Sequence, residues 1–435
     1  MINKIKTELS YLYKRPLVLK YYYLHKKFKT RKKEIGYQDK NLRKIIRYSY
    51  NNIPYYKELF DSLNLKPSDI KTKEDLKKLP VLTKATIKKN ITKFYPNNKY
   101  SKKYMNGSTG GSTGAPLKYR VSEESYSMGV ALLYRGWSRA NYKLGDRVAI
   151  IAGGSLVSKE NSLKKRLQDY LLNFRHYSSY GMDDELILSY AEDMIKWKPK
   201  FIRGYATSVF KLAIIVKKNN LENKFKLKAI FTTAEMLSQK HREVITNVFG
   251  VEVYDQYGLN DGGVSAYECK YHNMHIDVER AILESVDKNG KNIFNEDGKI
   301  LATTLIDKAM PLIRYETGDL GVITEEFCRC GSESLLLKEL KGRVTDTLII
   351  NGKTIGSPVL TVLLGKVDII QYQIVQVKNN KIIIKIQKSE TYSTKDEDFL
   401  RNSLFFQVGE FDLQFEYVDE FITTRNNKHK FIIKL

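Results

Sequence analysis

Residues 108–116 read Ser108-Thr109-Gly110-Gly111-Ser112-Thr113-Gly114-Ala115-Pro116, and the fold turns on how this stretch is read. Gly110, Gly111 and Gly114 let the backbone turn tightly and bring consecutive N–H groups close to a ligand. Such N–H groups form a concavity suited to phosphate oxygens, and the hydroxyls of Ser108, Thr109, Ser112 and Thr113 add donors around it. No Gly-Lys-[Ser/Thr] ending follows, so this is not a Walker-type P-loop. A run rich in Ser, Thr and Gly also suits a plain surface loop. The rest of the chain decides between the two.

Further elements follow in order. Tyr254-Asp255-Gln256-Tyr257-Gly258-Leu259-Asn260-Asp261 combines aromatics, a glycine and a carboxylate. Arg314-Tyr315-Glu316-Thr317-Gly318-Asp319 places an aspartate after a glycine. Gly342-Arg343-Val344-Thr345-Asp346 precedes a change in pattern, and Asn427-Lys428-His429-Lys430 lies near the end. Together with the glycine-rich loop, these elements resemble the ordered signatures of the AMP-forming adenylating enzymes. Asn52-Ile53-Pro54-Tyr55-Tyr56, Leu79-Pro80-Val81-Leu82-Thr83-Lys84, Arg203-Gly204-Tyr205-Ala206-Thr207-Ser208 and Ala234-Glu235-Met236-Leu237 narrow the resemblance. They are similar to landmarks of the phenylacetate–CoA ligase branch, especially its capsular-polysaccharide-associated members, over roughly residues 40–435.

The resemblance implies an α/β fold: a large N-terminal adenylation domain of several subdomains over residues 1–342, and a small α+β lid over 343–435. It implies that a carboxylic acid attacks the α-phosphate of ATP, that magnesium assists, and that the acyl group passes to a thiol or amine. Coenzyme A is one such acceptor. Ser108 to Gly114 would hold phosphates, Ala234, Glu235, Tyr257 and Gly258 would border the adenosine, and Asp319 would accept both ribose hydroxyls, as a carboxylate is able to do. Asp261 takes the place of the usual magnesium-associated Glu, one methylene shorter. Arg343 would meet phosphate or ribose oxygens. Lys428 would hold the two reacting anions together as charge develops; Asn427 stands where the family has glycine, and Lys430 is the fallback. An aryl–CoA ligase, an adenylyltransferase moving AMP onto a cofactor or sugar, and an inactive nucleotide-binding scaffold remain as alternatives.

The three cysteines form a second constellation: Cys269, Cys328 and Cys330, the last two as Cys-Arg-Cys-Gly. Three thiolates and one imidazole suit tetrahedral zinc with no open position. Some relatives carry a structural metal here, and the resemblance favours His275 over His272 as the fourth ligand. Unlinked reduced thiols are the alternative, and a cytoplasmic setting disfavours a disulfide.

The 435 residues are enough for two or three domains. A hydrophobic content of 42% fits a soluble protein, and no apolar run approaches the roughly 18 residues of a membrane span. The opening residues, with Lys and Glu scattered through them, are not a secretory signal, so a cytoplasmic protein is expected. The charge of +25, from 74 basic and 49 acidic residues, comes without any zinc-finger or RNA-recognition signature, so no nucleic-acid partner is expected. A basic, Tyr-rich start suggests peripheral contact with the inner membrane face.

Residues 1–100 read as mostly helical, with Pro16 dividing two short helices. Residues 148–151, 227–232 and 251–254 read as strands and 238–249 as a helix, an alternation of parallel or mixed sheets with helices. Residues 372–377 and 382–386 read as a hairpin turning at Asn379-Asn380, and 411–417 as a third strand. His176 and His241 read as structural residues in helical contexts.

Overall fold

The computed structural model describes residues 2–24, 30–98, 100, 103–108, 117–152, 163–179, 182–343, 347–356, 360, 363–364, 367–378, 381–423 and 429–435. The chain divides into two compact units: residues 1–317 with 321–339, and residues 340–435 joined by 318–320.

The first unit begins with helices α1 (Ile2–Lys14), α2 (Pro16–Leu24), α3 (Arg31–Asn52), α4 (Pro54–Ser62) and α5 (Lys84–Lys89). Pro16 sits at the first position of α2, where its missing N–H costs nothing. Strands β1 (Met105–Ser108) and β2 (Lys118–Val121) flank the glycine-rich loop as an antiparallel pair. Helix α6 (Glu123–Ser138) follows, capped by the Ser122 side chain, which accepts from the Ser125 N–H.

Then strand and helix alternate: β3 (Val148–Ala152), α7 (Leu163–Leu172), β4 (Phe174–Ser178), α8 (Asp184–Trp197), β5 (Phe201–Tyr205), α9 (Ala206–Lys218), β6 (Ala229–Thr233) and α10 (Gln239–Phe249). Strands β7 (Val253–Leu259), β8 (Val264–Glu268), β9 (Met274–Ile276), β10 (Ala281–Val286), β11 (Gly298–Thr304), β12 (Tyr315–Thr324) and β13 (Leu336–Arg343) complete it. All but β1 and β2 join one 11-stranded sheet, ordered β10-β11-β12-β13-β9-β8-β7-β6-β5-β3-β4. The β4-β3-β5-β6-β7 half is parallel and its strands are joined by helices, as parallel crossovers require. From β7 to β8 and β8 to β9 the pairing turns antiparallel. Trp137 of α6 stacks on Phe231 of β6 at 5.1 Å, which pins α6 to the sheet.

The second unit holds the hairpin β14 (Thr347–Ile350) and β15 (Lys353–Gly356), then β16 (Ile369–Lys378), β17 (Lys381–Lys388), α11 (Thr394–Val408), β18 (Asp412–Tyr417) and β19 (Ile432–Lys434). Its sheet runs β18-β17-β16-β19. Strands β16 and β17 are the expected hairpin, although its Asn379-Asn380 turn lies outside the described residues. Strand β18 pairs parallel with β17, and α11 makes the crossover, burying Leu400, Leu404 and Val408 in the unit's core. The α/β class is as expected. His176 differs: it lies on β4, not in a helix, and its Nε2 is 3.3 Å from the carboxylate of Asp169. Only two or three alternating residues separate a short half-buried strand from a helical turn, so the pattern there was too brief to discriminate.

Candidate functional site

The parallel strands end where ligands bind in open α/β sheets, beyond their carboxyl ends. Strand β5 runs directly into α9, and β6 into Ala234-Glu235. Ala234 has φ +67°, the left-handed region that disfavours an L side chain by about 1–2 kcal/mol. Its neighbour Glu235 explains what this turn achieves. The Glu235 carboxylate accepts from the Thr207 N–H at 3.0 Å and from the Thr207 hydroxyl at 2.7 Å. A carboxylate is thereby held at the amino end of α9, where the helix dipole favours it. Glu235 thus ties the ends of β5 and β6 together.

Strand β7 carries the Tyr-Gly element. Tyr257 is buried and opposite Ala266 of β8, while Gly258 lies opposite Ser265. The strand leads into Asp261, which is buried, and the Tyr315 hydroxyl donates to its carboxylate at 2.6 Å. This bond joins the Tyr-Gly element to the Arg-Tyr-Glu-Thr-Gly-Asp element. Arg314, at φ +53°, anchors the latter. Its guanidinium donates to the Leu79 and Gly290 carbonyls at 2.9 and 2.7 Å and reaches Glu284 at 3.3 Å. Tyr315 and Thr317 are buried, the Thr317 hydroxyl donating to the Ile300 carbonyl at 2.8 Å. Gly318, at φ +90°, sits within β12 immediately before Asp319. Asp319 is itself buried and groups with the second unit.

Residues 109–114 of the glycine-rich loop, the side chains of Ser108 and Arg343, and Lys428 lie outside the described residues. The anchors beside Lys428 are visible within the second unit. Gln373 donates to the carbonyls of Ile422 at 2.7 Å and Lys430 at 2.8 Å, clamping both sides of the lysine segment. His429 Nε2 donates to the Tyr372 carbonyl at 2.8 Å, leaving Nδ1 to accept from Gln371 at 2.9 Å. The sequence reading missed Gln371, Gln373 and His429. Their signal was available: two glutamines alternating along a strand between Ile and Tyr residues are polar groups that must find partners once buried.

The cysteine constellation is assembled. Cys269 follows β8, His275 lies on β9, and Cys328-Arg329-Cys330 forms the turn between β12 and β13. One ligand atom from each of Cys269, His275, Cys328 and Cys330 lies within 4.8 Å of all the others. Cys269 and Cys328 sulfurs are 3.6 Å apart, and Cys330 Sγ is 3.3 Å from His275 Nε2. Zn–S bonds of about 2.3 Å and a Zn–N bond of about 2.0 Å in a tetrahedron put ligand atoms about 3.5–3.8 Å apart. The donor set and its spacing therefore fit zinc. Burial pushes the Cys269 thiol up to about 11. Burial also opposes ionisation of Cys328, but hydrogen bonds from the Cys330 N–H and Asn273 hold its thiol below the ordinary value. His272 faces elsewhere: its ring nitrogens meet Glu268 at 3.3 Å and Glu252 at 3.2 Å.

Residues 348–435 match the family described as the CapK C-terminal domain. Protein CapK of Staphylococcus aureus is 27% identical over 91% of this chain and 88% of its own length. A phenylacetate-coenzyme A ligase of Thermus thermophilus is 25% identical over 83% of each chain. Among solved structures, a 2-hydroxyisobutyryl-CoA ligase in the postadenylation state, in complex with R3-HIB-AMP, superposes with a TM-score of 0.75. It is 18% identical, covering 93% of this chain and 90% of its own.

Proposed function

We propose that this chain, similar to CapK and to phenylacetate-coenzyme A ligases, is an AMP-forming adenylating enzyme that activates a carboxylic acid with ATP and passes the acyl group to a thiol or amine. The observation that carries the reading is the Tyr315–Asp261 bond. It knits the Tyr-Gly and Arg-Tyr-Glu-Thr-Gly-Asp elements into one buried structure beyond the ends of the parallel strands.

In the first step a carboxylate oxygen bonds to the α-phosphorus while the bond to the bridging oxygen breaks. Pyrophosphate leaves with that electron pair, and an acyl-adenylate remains. Both reactants are anions, so the cost lies in bringing them together. Backbone N–H groups of residues 110–114 would hold the outer phosphates, and Lys428 would bridge attacking carboxylate and α-phosphate as charge grows. Asp319 would fix the ribose by accepting hydrogen bonds from both hydroxyls. Magnesium takes one or two carboxylates and fills its shell with substrate oxygens and water. Asp261 offers a single carboxylate with one oxygen steadied by Tyr315, a donor set that fits such an ion. When bound, the ion would shield phosphate charge.

In the second step a thiol or amine attacks the acyl carbon, and AMP leaves. Coenzyme A is the first acceptor to test, and capsular polysaccharide synthesis the setting that likeness to CapK suggests. The cysteine cluster would hold a structural zinc, since four protein ligands leave no position for substrate. None of the described helices is long and apolar enough to cross a membrane; contact at the inner membrane face would be peripheral.

Pyrophosphate exchange across a panel of carboxylic acids tests the proposal. Acid-dependent exchange is expected, with AMP released when acceptor is added. Exchange without AMP release would favour an adenylyltransferase, and no ATP binding by calorimetry would leave only a scaffold.

A further inference from the structure

Helix α1 is inverted. Successive residues advance about 100° around a helix, so Ile2, Ile5, Leu9 and Leu12 form one row, with Thr7, Ser10 and Tyr11 on the opposite side. In a helix packed on its own domain the apolar row faces inward. Here Thr7, Ser10 and Tyr11 are buried, while Leu9 and Leu12 are 60% and 58% exposed and Ile2 and Ile5 also face solvent. Polar bonds hold the helix this way round. The Thr7 hydroxyl donates to the Leu171 carbonyl at 2.9 Å, and Lys6 donates to Asn173 at 3.0 Å. The Tyr11 and Tyr134 hydroxyls meet at 2.5 Å.

The neighbouring helix repeats the feature. Helix α7 packs beside α1 and presents Leu163, Leu167 and Tyr170 to solvent at i, i+4 and i+7, with Leu163 81% exposed. Lys6 of α1 lies 3.8 Å over the Tyr170 ring, so the exposed end of α7 sits directly beside α1. Apolar surface gathered on two adjacent helices marks an interaction site, unlike scattered single residues.

The charge of the surroundings selects the partner. Lys14 and Lys20 along α1 and α2, and Arg166 on α7, are exposed. The acids nearby are already neutralised: Glu8 pairs with Lys4 at 3.7 Å and accepts from Tyr23, while Asp169 pairs with Lys165 at 2.6 Å and lies beside His176. An apolar strip with a basic border fits an anionic bilayer, where the apolar row enters the interface and the cations meet lipid phosphates. A second copy of a chain carrying +25 would bring like charge against like.

We propose that the paired outer faces of α1 and α7 form an interfacial docking surface for anionic lipid. The proposal deepens the peripheral-membrane part of the reading above and is independent of the ligase chemistry. The full chain is mixed with vesicles of phosphatidylcholine, with and without phosphatidylglycerol, and floated at low and high salt. Binding is expected only with phosphatidylglycerol, falling steeply with salt, at about fivefold in affinity for each basic residue engaged. The double variant Leu9→Glu/Leu12→Glu should lose at least about tenfold more, with unchanged circular dichroism and unchanged ATP binding. Replacing Leu163 and Leu167 by Glu should reproduce that loss from the other helix. Equal flotation of the double variant and the native chain would overturn the proposal. So would flotation on neutral vesicles alone, or a concentration-dependent dimer in sedimentation equilibrium that the Leu9→Glu/Leu12→Glu chain fails to form.

Discussion

The cysteine cluster and the residues proposed to bind nucleotide are distributed in opposite ways. Cys269, His275, Cys328 and Cys330 come from turns and short strands of one unit, and their ligand atoms converge without help from the other. The residues proposed to meet the nucleotide are divided: Glu235, Tyr257 and Asp261 fall in the first unit, while Asp319, Arg343 and Lys428 fall in the second. A site complete within one unit suits stability. The proposed chemistry has two steps, and residues carried on separate units would let each step use different side chains. The comparison separates two kinds of loss: catalytic damage confined to one step, and damage to stability that leaves the steps alone.

The largest effect should come from the divided set. Lys428→Ala should slow adenylate formation by about 10²–10³-fold, the scale of one electrostatic contact made in the transition state. Acyl transfer from synthetic acyl-adenylate should suffer far less. Equal loss in both steps would mean that the second unit contributes one fixed arrangement, and the contrast drawn here would fail. Loss only in a Lys430→Ala chain would move the role two residues on. Asp319→Ala should weaken ATP binding in calorimetry by about 10–100-fold, since hydrogen bonds to a charged group are worth about 1.5–3 kcal/mol. Its effect on the chemical step at saturating ATP should be small.

The cluster should behave differently. Metal analysis of purified protein should give close to one zinc per chain. Chelation, or Cys328→Ser, should lower the melting temperature while kcat at saturating substrate changes little, because metal binding to a closed shell is folding free energy. Metal-free protein with an unchanged melting temperature would remove the cluster from the comparison.

How far each region was legible follows from the range of its contacts. The cysteines announce themselves because few residue types share their chemistry, and the family resemblance of His275-Ile276-Asp277 favours His275 over His272. The structure supplies the reason: His272, at φ +56°, turns towards Glu252 and Glu268. The parallel half of the sheet was legible from the strand–helix alternation, and β16 and β17 from adjacent apolar runs. What local pattern lacked was pairing across distance. The parallel partnership of β17 and β18 depends on α11 as a crossover, and the Tyr315–Asp261 bond joins residues 54 apart. The inversion of α1 was hidden for a related reason. Periodicity marks an apolar row but not the direction in which it faces, and here Thr7 and Lys6 decide that through bonds to Leu171 and Asn173.

Asp255 lies where the two regions meet, and its protonation gives the smallest predicted effect. It precedes the Tyr-Gly pair on β7, accepts from the Thr232 hydroxyl at 2.7 Å, and donates its N–H to Glu268, the residue before Cys269. Burial, with the nearby Glu268 carboxylate adding to it, raises the Asp255 carboxyl to about 7. Arg242 binds Glu268 through both nitrogens at 2.8 and 3.1 Å, so Glu268 keeps its charge and Asp255 bears the repulsion. The folded chain therefore binds a proton that the unfolded chain releases between about pH 4 and pH 7. Stability should fall as pH rises through that window, because the folded state holds more protons there. Asp255→Asn keeps the oxygen that accepts from Thr232 and removes the charge. It should be more stable than the native chain to urea at pH 7 and above, and the two should converge near pH 4. If the difference stays constant with pH, the gain is one of packing, and Asp255 carries no charge conflict between the nucleotide element and the cysteine cluster.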